Sequence, residues 1–92
     1  MPVAQTSSEV IVPLPEGVAL HARPAGVFVR TAMRFQARIT VAAGDRVADA
    51  KSILKVLALG AAGGTSLSLQ AEGADAEAAL VALADCVANL SD

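Results

Sequence analysis

The fold is decided by residues 8–34, SEVIVPLPEGVALHARPAGVFVRTAMR, in which the hydrophobic period changes once. Residues 8–14 alternate in polarity, as a half-buried strand does, and the prolines and Gly17 near their end predict a loop. In residues 24–34, apolar side chains recur every three or four residues, which is the period of an amphipathic helix. The segment therefore predicts a strand, a loop and a helix of about three turns. The only histidine, His21, lies between the loop and the helix.

The rest of the chain continues the alternation of strands and helices. Two short strands around a turn at residues 43–45 predict a hairpin, and a short helix ended by Gly60 follows. A cleanly alternating strand and a helix that Asp75 can cap complete the chain. The predicted elements are strands 8–14, 38–42, 46–50 and 65–71, and helices 24–34, 52–59 and 76–90.

This order, β-α-β-β-α-β-α, predicts an α+β open-faced sandwich. An antiparallel four-stranded sheet is expected to carry three helices on one face. Residues 8–92 are expected to form this single domain, and residues 1–7 are expected to be flexible. The chain has 92 residues, of which 54% are hydrophobic and only two are aromatic, so aliphatic side chains must form one core.

The charges are unevenly distributed along the chain. The formal net charge is −2, which does not suggest a nucleic-acid-binding protein, because a phosphate backbone attracts a basic surface. All seven Lys and Arg residues lie between Arg23 and Lys55, whereas residues 57–92 carry only acidic charges. If the fold keeps the basic stretch on one face, that face suits an acidic partner or a phosphate group.

Several classes of site and location are not indicated. Cys86 is the only cysteine and cannot form an intrachain disulfide, so we expect a small buried or half-buried apolar residue. Neither a secretory signal nor a membrane-spanning segment is evident, and we expect a cytoplasmic protein without membrane insertion. With one histidine, no carboxylate cluster and no phosphate-binding glycine loop, we expect no metal and no cofactor.

The chemistry concentrates at Leu20-His21-Ala22-Arg23-Pro24, where the loop meets the first helix. Proline is favoured in the first turn of a helix, which places His21 at the helix mouth and Ala22 at the expected cap position. The first amides of a helix lack intrahelical acceptors, and the helix dipole is positive there. A phosphate on His21 would meet these amides, with Arg23 as a second source of positive charge. From the residues alone, a surface or capping histidine explains His21 equally well.

Three blocks of sequence resemble the HPr family, the histidine-containing phosphocarriers of the bacterial sugar phosphotransferase system. The first block, GVALHARPA at residues 17–25 with 28–29, is similar to the active-site segment of that family. The second, residues 50–60, resembles its regulatory-serine segment and second helix, and the third, residues 64–73, resembles its fourth strand and the following turn. The blocks occur in the family's order and at its spacing over about residues 9–90.

The resemblance implies a phosphocarrier and not an enzyme. His21 would accept a phosphoryl group on Nδ1 from phosphorylated enzyme I and pass it to a histidine of an enzyme IIA domain. Arg23 would neutralise the phosphate, and Pro24 would set the start of the helix, with Ala22 between His21 and Arg23. The docking surface of the family corresponds here to Ala22, Gly26, Val27, Arg30, Ile53, Leu54, Lys55 and Leu57.

Two positions in the matching blocks carry further implications. Ser52 matches a serine that a dedicated kinase phosphorylates in some lineages, which would add a serine kinase/phosphorylase and transcriptional regulators to the partners. The simpler interpretation of Ser52 is a helix N-cap. Ala19 departs from the family, which usually has glycine at this position.

Other functions are compatible with the same residues. A carrier in a nitrogen-related or dihydroxyacetone-kinase phosphorelay would share the histidine segment. A regulatory binding module of the same fold would need neither His21 nor Arg23, and the Ala-rich composition disfavours a small-molecule-binding domain. A monomer is the simplest expectation.

Overall fold

The computed structural model describes residues 7–91 and has, within them, four strands and three helices in the predicted order. Residues 1–6, on which most of the predicted flexible N-terminus falls, lie outside the described residues, as does Asp92. The α+β class and the antiparallel sheet are confirmed, and every element bound lies within two residues of its prediction. The elements are β1 (Ser7–Pro13), α1 (Ala22–Ala32), β2 (Arg38–Ala43), β3 (Arg46–Asp49), α2 (Ile53–Leu59), β4 (Ser66–Glu72) and α3 (Ala76–Ala88).

The described strands form one antiparallel sheet in the order β1-β4-β2-β3. β4 lies between β1 and β2, so that Leu69 is opposite Val10 on one side and Val41 on the other. β2 and β3 form the predicted hairpin, in which Gly44 takes a φ of 63° in the turn. The sheet therefore joins the first strand of the chain to the last one, and residues from both halves of the sequence meet along β4.

The core lies between the sheet and the helices. Leu67 and Leu69 of β4 point inward and are fully buried, as are Phe28 of α1 and Leu83 of α3. Burial of each such side chain contributes about 1.5–3 kcal/mol relative to leaving it exposed. On the opposite face, Ile11 of β1 is 67% exposed. This difference between the two faces is what an open-faced sandwich requires.

Two of the helix starts differ from the sequence prediction. α1 begins two residues earlier than predicted, so His21 occupies the N-cap in place of Ala22. Asp75 stands at the N-cap of α3, but its side chain makes no capping hydrogen bond. The start of α2 follows the prediction, because Ser52 Oγ accepts a hydrogen bond from the amide of Lys55 at 3.3 Å. No helix in residues 7–91 has the length and apolar character needed to cross a membrane.

Asp75 joins the start of α3 to the segment before β2. Its carboxylate accepts hydrogen bonds from the amides of Gln36 (2.9 Å) and Ala37 (2.8 Å). The hydrogen bond from Gln36 is the main cause that holds the pKa of Asp75 below its ordinary value. The bond from Ala37 and the charge of Lys51 act in the same direction, and desolvation opposes them. Lys51 Nζ also donates to the carbonyl oxygen of Phe35 at 2.6 Å, so a second side chain ties down this segment.

Asp75→Asn is expected to remove a pH-dependent part of the stability. A carboxyl whose pKa is lowered on folding stabilises the fold above its ordinary pKa of about 4, and this contribution is lost as the pH falls through the lowered value. The difference in free energy of unfolding between wild type and variant, measured with urea, should be constant above about pH 5 and should shrink below about pH 4. Asp45→Asn in the exposed hairpin turn is the matched control. A difference that persists unchanged down to about pH 2 would contradict this role of the Asp75 charge.

Candidate functional site

His21 lies at the end of a loop that is anchored by buried leucines. Leu14 and Leu20 are each 1% exposed, whereas His21, the next residue after Leu20, is exposed. The amide of Leu20 donates to the carbonyl oxygen of Ala61 at 2.9 Å, and the amide of His21 donates to that of Ala19 at 2.9 Å. The imidazole is therefore presented to solvent from a backbone that is held on the core side.

A turn at residues 15–18 sets the direction of this loop. The amide of Val18 donates to the carbonyl oxygen of Pro15 at 3.1 Å, and Gly17 takes a φ of 80° at the third position of the turn. Glycine is favoured at that position because it adopts positive φ without strain. In the described part of the chain every residue with positive φ is a glycine, so Ala19 has an ordinary backbone conformation. The loop accommodates Ala19 because its left-handed residue is Gly17.

The start of α1 carries amide groups that the fold leaves available. His21 is the N-cap with an extended backbone (φ −123°, ψ −177°), and its side chain makes no capping hydrogen bond. Its carbonyl oxygen accepts a hydrogen bond from the amide of Ala25 at 3.0 Å, while the buried Pro24 has no amide hydrogen. Within residues 7–91, no acceptor contacts the amides of Ala22 and Arg23. Since the helix dipole adds about half a positive charge here, this end of α1 suits an anion.

Arg23 adds a cation two residues after His21. Its exposed side chain lines a groove between α1 and α3 together with Val27, Thr31 and Cys86. The hydroxyl of Thr31 donates to the carbonyl oxygen of Val27 at 2.9 Å and lies 3.6 Å from Sγ of Cys86, which is half-buried as predicted. Val27 thus lies on the flank of α1 that faces α3. None of the predicted docking residues of α2 lines this groove.

α2 contacts α1 and presents apolar side chains to solvent. Leu54 is 77% exposed, Ile53 and Leu57 are each more than a third exposed, and Lys55 is exposed beside them. The half-buried Ser52 serves as the N-cap of this helix, so the simpler of its two interpretations is confirmed. Its phosphorylation stays a prediction.

α1 carries a cation on one side and an exposed methionine at its C-terminal end. Ala22, Gly26 and Arg30 follow one another at a spacing of four residues and therefore share one side of the helix. The guanidinium of Arg30 lies close to Gly26: a Cβ built on that glycine would be 3.4 Å from Nη1 of Arg30. Met33, which the helical period assigned to the buried side, is 64% exposed because the helix ends there.

The loop between α2 and β4 is a part of the site that sequence reasoning missed. It holds the loop that leads to His21 through backbone hydrogen bonds. The amide of Gly64 donates to the carbonyl oxygen of Leu14 at 3.0 Å, and the amide of Leu14 donates to the carbonyl oxygen of Thr65 at 2.9 Å. The bond from Leu20 to Ala61 adds a third contact. These contacts use main-chain atoms, so the only available signal was the Gly63-Gly64 pair.

The groups at this site are suited to holding a phosphoryl group. A neutral imidazole offers one ring nitrogen as a nucleophile, and His21 is exposed to an incoming partner. The amides of Ala22 and Arg23 and the guanidinium of Arg23 are donors for phosphate oxygens. Among residues 7–91, no three or more His, Cys, Asp or Glu side chains are grouped so that they could hold a metal ion.

Comparison with known proteins shows similarity over most of the chain. Residues 6–89 match the family model described as the PTS HPr component phosphorylation site. The phosphocarrier protein HPr of Mycoplasma capricolum is 41% identical over 66 residues, which cover 72% of this chain and 74% of that protein. Multiphosphoryl transfer proteins of Xanthomonas campestris and Escherichia coli O157:H7 are 51% and 44% identical over 66% and 75% of this chain. The matches cover only 7% and 19% of those much longer proteins.

Solved structures agree with these relatives. HPr-C-His from Thermoanaerobacter tengcongensis superimposes with a TM-score of 0.84 at 40% identity and covers 88% of this chain and 91% of that one. The phosphocarrier protein HPr from Bacillus anthracis has the same TM-score at 37% identity, over 88% and 96% of the two chains. An HPr dimer from T. tengcongensis matches with a TM-score of 0.71 at 40% identity, over 88% and 93% of the two chains. The chain therefore belongs to the HPr family, the phosphocarriers of the phosphotransferase system.

Proposed function

We propose that His21 accepts a phosphoryl group on Nδ1 from phosphorylated enzyme I and passes it to a histidine of an enzyme IIA domain. The observation that carries this proposal is the position of the exposed His21 at the N-cap of α1, beside the amides of Ala22 and Arg23 and the Arg23 guanidinium. Membership of the HPr family supports it, because the members are named phosphocarrier proteins and the family model describes a phosphorylation site.

During the transfer the protein must stabilise the negative charge of a phosphoryl group that is bound to His21 only transiently. In the forward step a bond forms between Nδ1 of His21 and phosphorus as the bond between phosphorus and the donor breaks. The negative oxygens then lie at the positive end of α1, where the helix dipole and Arg23 stabilise them. In the second step the bond to Nδ1 breaks and the acceptor histidine takes the group. His21 thus acts as a carrier, and the protein is proposed not to catalyse a reaction of its own.

The partners are proposed to dock on the surface formed by α1 and α2. This docking surface contains exposed aliphatic side chains, above all Leu54, and the cations Arg30 and Lys55. An apolar patch bordered by cations fits an acidic partner that must associate and release quickly. Val27 lies in the neighbouring groove with α3, so we assign it to the edge of this surface. The remaining members are Ala22, Gly26, Ile53 and Leu57.

The assembly and location of the protein are also proposals. We propose a monomer in the cytoplasm, which leaves the docking surface free for enzyme I and enzyme IIA in turn. The HPr dimer among the matched structures makes sedimentation equilibrium the direct test of the monomer. A phosphate on Ser52 would place about −1.5 to −2 charges next to Ile53 and Leu54 and would repel an acidic partner.

His21→Ala is expected to abolish phosphorylation by enzyme I. The wild-type protein, incubated with enzyme I and labelled phosphoenolpyruvate, should acquire a label that is stable in base and labile in acid, as expected of phosphohistidine. The variant should stay unlabelled and keep the wild-type circular dichroism spectrum, because His21 is exposed and makes no side-chain capping bond. Label that persists in the variant would exclude His21 as the acceptor.

Arg23→Glu is expected to slow phosphoryl acceptance without unfolding the domain. The change reverses the charge beside the phosphate, and we expect the rate to fall by about ten- to a hundredfold. Quench-flow with phosphorylated enzyme I measures the rate, and thermal unfolding measures the stability. Arg34→Glu is the control, since this exposed residue follows the C-terminal end of α1, whereas the phosphate site is at its N-terminal end, and the change should alter the rate by less than about twofold. Equal rates for Arg23→Glu and Arg34→Glu would contradict the role of Arg23.

Leu54→Glu is expected to weaken docking of enzyme I. It introduces a charge into the apolar part of the docking surface, and KM for the carrier should rise by about tenfold while the maximal rate changes little. Val47→Glu is the control, because Val47 is 67% exposed on a strand and lies outside α1 and α2. If both variants raise KM equally, docking does not use Leu54.

A further inference from the structure

We propose that Gly63 is a positioning residue for His21. The lack of a side chain at Gly63 lets the α2–β4 loop lie directly against the turn that leads to the histidine. This inference rests on the proposed function of His21 and adds to it a residue that is 42 positions away in the sequence. The inference rests on a close contact between backbone segments. Gly63 is not proposed to contact the phosphoryl group itself.

The contact involves the hydrogen bond that closes the turn at residues 15–18. A Cβ built on Gly63 would lie 2.7 Å from the amide nitrogen of Gly17, 3.0 Å from that of Val18 and 3.1 Å from the carbonyl oxygen of Pro15. The last two atoms are the donor and the acceptor of the closing hydrogen bond. All three are backbone atoms, which cannot rotate away as the end of a long side chain can. A side chain at this position must therefore push the turn and the α2–β4 loop apart.

The requirement for glycine at this position is steric. Gly63 does not take a positive φ, so its own backbone conformation does not require glycine. Its neighbour Gly64 is different, because it takes a φ of 82°. Substitution of Gly63 by alanine thus fills the space between the two loops. It does not force a side chain into a positive φ.

Separation of the turn from the α2–β4 loop must change the backbone next to His21. The α2–β4 loop also binds the chain on both sides of the turn, through the hydrogen bonds of Leu14 to Thr65 and of Leu20 to Ala61. The side chain of Leu20 is buried, and its amide depends on this loop for its hydrogen-bond acceptor. Separation of the two loops at Gly63 therefore disturbs the Leu20–Ala61 bond, which joins the same loops two residues before Gly63. A change in this bond moves the backbone of Leu20 and His21, and with it the imidazole, relative to the first amides of α1. Because α1 packs against α2 and α3, and α2 packs against β3, the docking surface is left in place.

Gly63→Ala is expected to lower the maximal rate of phosphoryl acceptance and to leave docking intact. With phosphorylated enzyme I as donor, kcat should fall by about tenfold or more and KM should stay within about twofold of wild type. Amide chemical shifts of Leu20 and His21 should change, whereas those of Leu54 and Lys55 should not. A role confined to stability would not produce this division between kcat and KM or between the two sets of amides.

Gly44→Ala is the matched control for Gly63→Ala. Gly44 lies in the β2–β3 turn with a φ of 63°, and a Cβ built there meets nothing within 4 Å. The control adds the same methyl group and strains the backbone, so it lowers stability without pressing on another loop. Its kcat should remain within about twofold of wild type. If Gly63→Ala keeps the wild-type kcat, or if Gly44→Ala lowers kcat by the same factor, the positioning role is wrong.

A measurement on the wild-type protein keeps the inference testable even if Gly63→Ala does not fold. Nuclear Overhauser effects between the α-protons of Gly63 and the amide protons of Gly17 and Val18 should be observed, and their absence would overturn the proposal. These effects do not depend on phosphorylation. If wild-type His21 takes no label from enzyme I, the proposed function fails, while the amide shifts and the Overhauser effects still decide whether Gly63 sets the loop.

Discussion

The site depends on a constraint between two adjacent residues, Leu20 and His21. Leu20 is buried in the core and His21 is exposed, so the chain must turn from the interior to the surface within one residue. The hydrogen bond from the Leu20 amide to the carbonyl oxygen of Ala61 fixes the backbone of Leu20, and the start of α1 fixes that of His21, its N-cap. A histidine on a free loop would meet the helix amides only occasionally. Here the burial of one side chain holds the other in place.

The same helix serves two purposes at this site. Its first turn offers amides and positive dipole charge to an anion, and its exposed side continues into the surface formed with α2. A partner that docks on this surface would therefore be directed toward His21 without a pocket. This arrangement suits a carrier, because both the donor and the acceptor must reach the same exposed group in turn.

The helix and strand periods predicted the elements correctly. The errors occur at the helix termini, at the starts of helices as well as at their ends. The apolar repeat of residues 24–34 located α1, but it did not show that the helix begins at Ala22 or that Met33 is exposed past its end. Asp75 was predicted as a cap because Asp favours that position. Its carboxylate instead accepts hydrogen bonds from Gln36 and Ala37, which are nearly 40 residues away in sequence. Such competition between local and distant partners is not encoded in a local pattern.

The sequence by itself determined the element order, the core faces and the pairing of His21 with Arg23 at a helix start, because each depends on neighbours a few residues apart. The tertiary structure decided which surface each of the other residues joins. It placed Val27 against α3 and brought the loop at Gly63 against the turn before His21. Both results depend on how elements pack across the sheet, since contacts between backbone atoms distant in sequence leave no periodic trace in the amino acids that make them.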